Sequence, residues 1–423
     1  MPFALNDTRT ALNAANLLAL SQQYGCPVWA YDAEIIKQRI SQLRQFDVIR
    51  FAQKACSNIH ILRLMREQGV RVDSVSLGEI ERALLAGFQP GVQADGSSEI
   101  VFTADLLDRP TLQRVTDLGI PVNAGSIDML EQIGRQKAGH PVWLRVNPGF
   151  GHGHSQKTNT GGENSKHGIW YADLPKALAE IKRYQLKLVG IHMHIGSGVD
   201  YQHLEQVCDA MVNQVIELGQ DIEAISAGGG LSTPYHFGAE TIDTAHYYGL
   251  WNGARERIAA HLGHPVALEI EPGRFLVAES GALVAQVRAI KEMGSRHFVL
   301  VDAGFNDLMR PALYGSYHHI SLLPADGRDI SSETQRESVI AGPLCESGDV
   351  FTQQEGGAVE TRLLGEVKID DLLVFHDTGA YGATMSSNYN SRPLLPEVLF
   401  EQGVARQIRR RQTIEELLAL EQF

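Results

Sequence analysis

From Val48 to Arg274 the sequence repeats one pattern: a short apolar run, then a stretch with helical periodicity. The apolar runs are VIRFAQK (48–54), VRVDSVS (70–76), IVFTA (100–104), IPVNA (120–124), VWLRVNP (142–148), LVGIHMHIGS (188–197), IEAISAGGG (222–230) and VALEIEPGR (266–274). Helical patterns stand at 58–68, 77–87, 109–118, 127–136, 201–219 and 245–262, the second closed by Gly87. Strands alternating with helices imply a parallel sheet, because parallel neighbours need a crossover long enough to hold a helix. Eight such strands over about 230 residues fit a closed (β/α)8 barrel of the TIM type. An open doubly wound sheet that bound a dinucleotide would carry a GxGxxG turn after its first strand, and VIRFAQKACSN has none.

The texture changes after Arg274. GALVAQVRAI (281–290), RHFVLVDAG (296–304), SVIAGP (338–343), DLLVFHDTGAY (371–381) and VARQIRRRQT (404–413) read as strands, with a short helical tail at TIEELLALE. Short strands without helical crossovers suggest an antiparallel β domain of barrel or sandwich type. CPVWAYD (26–32) is a strand ahead of the barrel that could pair into it. The expected division is a barrel domain over 33–275 and a β domain built from 1–32 and 276–423, which the 423 residues accommodate.

Several partner classes are excluded by composition. A formal net charge of -13 argues against nucleic acid, which calls for a basic face. No run approaches the ~18 apolar residues of a membrane span, and MPFALNDTRTALN lacks the features of a secretory signal. The four cysteines, 26, 56, 208 and 345, form no CxxC pair or disulfide framework, which suits a reducing cytoplasm.

In a barrel of this type the ligand lies over the C-terminal ends of the strands. The unusual residues there are Lys54, Asp73, Arg145, Asn147, His192, His194, Ser197, Gly228, Gly229, Gly230, Glu271 and Arg274. Lys54 at the end of an apolar strand would be poorly hydrated, with a lowered pKa suited to Schiff-base chemistry. Alone, such a lysine more often reaches solvent or a salt bridge. The glycines after the seventh strand expose backbone N–H groups able to wrap a phosphate, where barrels commonly hold one. GSG (196–198) adds N–H groups and the Ser197 hydroxyl. His192 and His194 share a strand face. They read either as a metal pair or as an imidazole stacked on a planar ring, and no organised set of further metal ligands accompanies them. Glu271 in EIEPGR could keep a pyridine nitrogen protonated, or serve as a cap or ion-pair partner. Asp73 and Arg274 fit either rim structure or ligand contact.

Three segments of the β domain carry chemistry. AGPLCESGD (341–349) sets Cys345 beside Glu346 in a loop, as a free thiol able to handle a proton or as a buried turn cysteine. FNDLMRPALYG (305–315) places Arg310 and Tyr314 four apart, on one side of a helical turn, where the arginine could grip a carboxylate bidentately. GAYG (379–382) projects Tyr381 from between glycines.

These motifs closely resemble the diaminopimelate decarboxylase family, especially its enterobacterial members, among the fold type III pyridoxal-phosphate enzymes. The resemblance spans essentially the whole chain: FAQKAC, DSVSLGE, RVNPGFGHGH, ENSKHG, GIHMHIGSG, AGGG, EPGR, FNDLMRPALYG, GPLCESGD, GAYG and NYNSRP. It implies the cofactor pyridoxal 5'-phosphate, bound to Lys54, with His194 stacked on its ring and Glu271 at the pyridine nitrogen. It implies Ser197, Gly228 to Gly230, Gly273 and Arg274 around the phosphate, with Asp73 and Tyr381 also lining the cofactor. Arg274, Arg310 and Tyr314 would bind the carboxylate at the non-reacting end of meso-2,6-diaminopimelate. Glu346 would bind the distal ammonium and Cys345 would be the proton donor. The family further implies a homodimer in which the GPLCESGD loop of one subunit completes the Lys54 pocket of the other. One departure is Cys56 in FAQKACSN, where relatives often carry asparagine; the lysine and strand pattern are intact. The nearest alternative is a decarboxylase of the same fold acting on ornithine or arginine, whose substrates lack a second carboxylate. Alanine racemases place an arginine at the pyridine nitrogen, and the small pyridoxal-phosphate homeostasis proteins lack a second domain.

Overall fold

A computed structural model describes residues 5, 10–94, 96–151, 161–194, 200–236, 238–330 and 333–422. The chain divides into two compact units. One comprises Arg39–Ser232 and Thr241–Phe275; the other comprises Met1–Gln38, Thr233–Glu240 and Leu276–Phe423.

The first unit is the barrel. Its strands are β2 (Val48–Ala52), β3 (Arg71–Ser74), β4 (Ile100–Ala104), β5 (Val122–Ala124), β6 (Pro141–Asn147), β8 (Lys187–His192), β9 (Ala224–Ser226) and β10 (Ala267–Ile270), with β1 (Val28–Asp32) in the second unit and β7 (Ile169–Trp170) pairing outside the ring with β6. Each pairs in parallel with its neighbours, and β10 closes the ring on β2 by matching Glu269 with Val48 and Ile270 with Ile49. Burial along the strands is almost continuous, as in β6, where only Pro141 is partly exposed. That follows from helices covering the outer face of a parallel sheet. The helices begin where capping side chains demand it: Ser76, Asp108 and Ser126 accept N–H bonds at the starts of Leu77–Ala86, Arg109–Leu118 and Ile127–Gln136.

The predicted helices all form. Among the helices not anticipated, Leu174–Tyr184 fills the crossover between β6 and β8. Its buried stripe is only Leu174, Ala177 and Ile181, too thin to stand out as a helical period. The predicted strands run too long at their C-terminal ends. VIRFAQK stops at Ala52, LVGIHMHIGS at His192 and IEAISAGGG at Ser226, and the described residues that follow leave the sheet for the loops above it.

The barrel also buries an ion pair. Arg50 on β2 donates from Nε and Nη2 to the Glu269 carboxylate on β10 at 3.0 and 3.1 Å, and from Nη1 to Ser98 O at 3.1 Å. Their side chains are 1% and 8% exposed, so this pair sits inside the seam that closes the ring.

The second unit is built on a nine-stranded sheet. β1 (Val28–Asp32) lies between β11 (Gly281–Met293), antiparallel, and β17 (Glu397–Glu401), parallel. β12 (Arg296–Val301) pairs in parallel with β14 (Arg336–Ala341). The sheet is therefore mixed, where the sequence suggested an antiparallel one. Both parallel pairs join segments that are not consecutive hairpin partners, a connection that local strand patterns do not report. β13 (Ile320–Leu323), β15 (Arg362–Leu364) and β17 were not anticipated, the first two being only four and three residues long. Helix Ala14–Tyr24, capped by Asn13, lays Leu17 and Leu20 on a core with Val28, Val284, Val374 and Phe400. Among the described residues no helix is long and apolar enough to cross a membrane.

Candidate active site

The barrel unit gathers most of the predicted rim residues. Beyond Ala52, whose N–H donates to Pro272 O, the chain enters a 3-10 turn, Gln53–Ala55. Lys54 sits on this turn and is exposed. The expectation of a poorly hydrated amine at a strand end is thus corrected: the strand stops two residues earlier, and the turn buries Gln53 instead. Gln53 Nε2 donates to Ser74 Oγ at 2.7 Å and to Glu79 O at 3.1 Å, which fixes the turn that presents Lys54.

Asp73 and Glu271 are the buried carboxyls of the mouth, 4% and 9% exposed. Burial pushes the Asp73 carboxyl well up, the Glu271 charge adds to this, and the Lys54 charge opposes it. Asp73 Oδ1 is buried without a hydrogen-bond partner among the described residues. Glu271 goes the other way. Burial raises it, but His192, Arg50 and Arg145 together hold it below the ordinary carboxylate range. Glu271 Oε2 is 2.7 Å from His192 Nε2, and its N–H donates to Gly228 O at 2.7 Å.

His192 and His194 are both engaged by protein groups. His192 is buried against Glu271. His194 Nδ1 accepts from Gly229 N–H at 2.8 Å, which makes that nitrogen the unprotonated one. Burial, then the charges of Arg145 and Lys54, keep the His194 imidazole neutral. Asn147, at the end of β6, gathers the following loop by accepting from the N–H groups of Gly149 and Gly162 and donating to Gly162 O and His167 O.

The glycine run is required by space as well as by conformation. Gly228 has φ +62°, and a Cβ there would lie 2.5 Å from Met193 O. A Cβ on Gly229 would lie 2.6 Å from Glu271 O. The turn is squeezed between the ends of β8 and β10, with backbone on both sides. Gly273 is less crowded, a Cβ there lying 3.3 Å from Ala52 and Ala55, and Arg274 opens the short helix Arg274–Val277. Ser197 lies outside the described residues.

This set fits pyridoxal phosphate. Glu271 is an ionised carboxylate for a ring nitrogen, His194 is a neutral ring, and Asp73 Oδ1 is a buried oxygen unmatched among the described residues.

In the second unit Arg310 is 5% exposed, on the helical turn Arg310–Tyr314. Its Nη1 donates to His318 Nε2 at 2.9 Å, and its guanidinium carbon lies 4.7 Å from the Tyr235 ring centre. His318 Nδ1 donates in turn to His376 O, so the neutral tautomer with an accepting Nε2 is fixed. Tyr314 is half-buried on the same turn, and Tyr381, with φ +57°, is also half-buried. Cys345 is an exposed free thiol and Glu346 is exposed beside it, which sets aside a buried turn cysteine. Tyr235 and His318 were missed by the sequence reading. The only signals were the aromatic and histidine residues of TPYHFG and YGSYHHI, which have no strand or helix period.

The model of a family described as pyridoxal-dependent decarboxylase, pyridoxal binding domain, matches residues 32–278. The chain belongs to the pyridoxal-dependent decarboxylases, and pyridoxal phosphate is its cofactor. Over 421 residues it is 75% identical to diaminopimelate decarboxylase of Escherichia coli K12, covering 100% of each chain. It is 64% identical to that of Streptomyces coelicolor, covering 97% of this chain and 92% of the other. A solved structure of a diaminopimelate decarboxylase matches with a TM-score of 0.97 at 74% identity, covering 99% of both. Within the class, then, its place is in the diaminopimelate decarboxylase family.

Proposed function

We propose that this enzyme decarboxylates meso-2,6-diaminopimelate at its D-centre to give L-lysine and carbon dioxide, the last step of lysine synthesis by that route. The observation that carries the substrate is Arg310. A buried guanidinium, already oriented by His318 and Tyr235, suits the second carboxylate that ornithine and arginine lack.

In this reading the barrel domain, 33–275, binds the cofactor through Lys54. Gly228, Gly229, Gly230, Gly273, Ser197 and Arg274 hold its phosphate, His194 flanks its ring, and Asp73 and Tyr381 line it. Glu271 keeps a proton on the pyridine nitrogen. When bound, pyridoxal phosphate supplies the sink for the electron pair left on Cα as the carboxylate departs. The β domain, 1–32 and 276–423, supplies the substrate contacts and a homodimer interface. Arg274, Arg310 and Tyr314 hold the carboxylate of the L-centre, Glu346 its ammonium, and Tyr381 the substrate alongside the cofactor. The Cys345 thiol returns a proton to Cα. The enzyme works in the cytoplasm as a homodimer whose subunits complete each other's sites, without nucleic-acid or membrane partners.

The test is a panel of substrates with one labelling experiment. Purified protein should release carbon dioxide from meso-diaminopimelate and not from ornithine, arginine or L-lysine. Borohydride should fix the cofactor on the peptide containing Lys54. Release from ornithine or arginine alone would overturn the substrate, and fixation that persists in Lys54→Ala would overturn the anchor.

A further inference from the structure

The loop carrying Cys345 and Glu346 exposes both side chains, yet the backbone around them is engaged from several directions. Gly342 N–H donates to Asp349 O at 3.0 Å and Asp349 N–H to Glu346 O at 3.1 Å, closing the loop on itself. Leu344 N–H donates to Asp349 Oδ2 and Phe305 N–H to Asp349 Oδ1, each at 2.7 Å. Cys345 N–H donates to Asn390 Oδ1 at 2.9 Å. Two consecutive amides, those of Leu344 and Cys345, are therefore held by two side chains, one from the same loop five residues on and one 45 residues away.

The surroundings are shaped to permit both bonds. Asp349 is 3% exposed. A Cβ on Gly342 would lie 2.3 Å from its Oδ2 and one on Gly304 would lie 3.1 Å from it, so two glycines leave the room this carboxylate occupies. Asn390 has φ +54°, and Ser391 beside it φ +55°. Asparagine tolerates this left-handed region better than most residues. The ring of Tyr389 stacks on Phe305 at 5.4 Å, which ties the Asn390 turn to the residue whose amide Asp349 also binds.

We propose that Asp349 and Asn390 are positioning residues for the reaction: by clamping the Leu344 and Cys345 amides, they fix where the Cys345 thiol lies when it returns the proton to Cα. The proposal rests on the reading of Cys345 as that proton's donor. Placement matters because a shift of about 1 Å in a reacting group can cost on the order of a hundredfold in rate.

Asn390→Gly tests it in the full-length holoenzyme, since glycine accepts the left-handed backbone and removes the Oδ1 acceptor. The expected result is a fall in kcat of about tenfold with KM for meso-diaminopimelate within about twofold, the partial misplacement expected on losing one of two holds. Amide hydrogen exchange in the peptide spanning 343–347 should speed up. Asn390→Asp, which retains an oxygen acceptor, should restore most of both losses. In a Cys345→Ala background, Asn390→Gly should add no further slowing, because it acts through the thiol. Unchanged kcat and exchange in Asn390→Gly overturn the proposal, as does equal slowing with and without the thiol. Cys345→Ala with wild-type kcat would instead overturn the proton-donor reading itself, so the two failures are read from different variants. Asp349→Asn is the companion variant, and the same pairing with Cys345→Ala applies to it.

Discussion

His192 shows what a single residue decides in the barrel mouth. It was one of two histidines open to a metal or a stacking role, and it is neither solvent-facing nor free: its Nε2 is spent on Glu271. The carboxylate depends on that partner, because burial alone would drive it towards the protonated form. Removing the partner of a buried charged group costs about 1.5–3 kcal/mol. His192→Ala should therefore weaken cofactor binding by roughly ten- to a hundredfold, measured as pyridoxal phosphate lost on dialysis and regained on titration, with the fold retained by circular dichroism. Wild-type cofactor affinity in this variant would show that Glu271 is held by other means. The residue identities of the mouth were legible because glycine runs, a lone lysine and acidic tips are conspicuous against apolar strands. The pairing of His192 with Glu271 was not, since it joins strands 79 positions apart.

Strands and helices were legible where burial imposes a strong period, as in Ile127–Gln136, and not where the stripe is thin, as in Leu174–Tyr184. Strand ends were overextended because the rim residues are apolar enough to read as sheet while their backbone serves loops. The seam between β2 and β10 is the element-scale feature that no periodicity shows. Its registered contact is short, and the Arg50–Glu269 pair lies inside it. Arg50→Ala strands a buried carboxylate, a loss of about 3–5 kcal/mol. Arg50→Met with Glu269→Leu removes both charges and should recover most of that loss. Thermal unfolding of the two variants checks this: a double variant as unstable as the single one would mean that the seam needs the ion pair itself and that the stranded charge is not the cause of the loss. Glu269 also lies two residues from Glu271, so the single variant should lose cofactor affinity along with stability.

At the scale of the whole molecule, the proposed homodimer makes a quantitative claim. Lys54→Ala and Cys345→Ala each disable a different contribution to a shared site. If subunits complete one another, refolding an equal mixture gives hybrid dimers in which one of two sites is intact. With random pairing, activity should reach about a quarter of wild type although both parents are inactive or slow. Sedimentation equilibrium should give twice the chain mass, and a mixture no more active than its parents would count against shared sites. The mixed sheet of the second unit has a different consequence, for how the chain is made. β1 is made well before its partners β11 and β17, and Trp29 is matched with Glu397. At roughly 5–20 residues per second, translation leaves that apolar strand without its final neighbour for on the order of 20 to 70 s. The barrel segments are completed within that interval, so β1 keeps one edge open to pairing with other chains until its last neighbour is made.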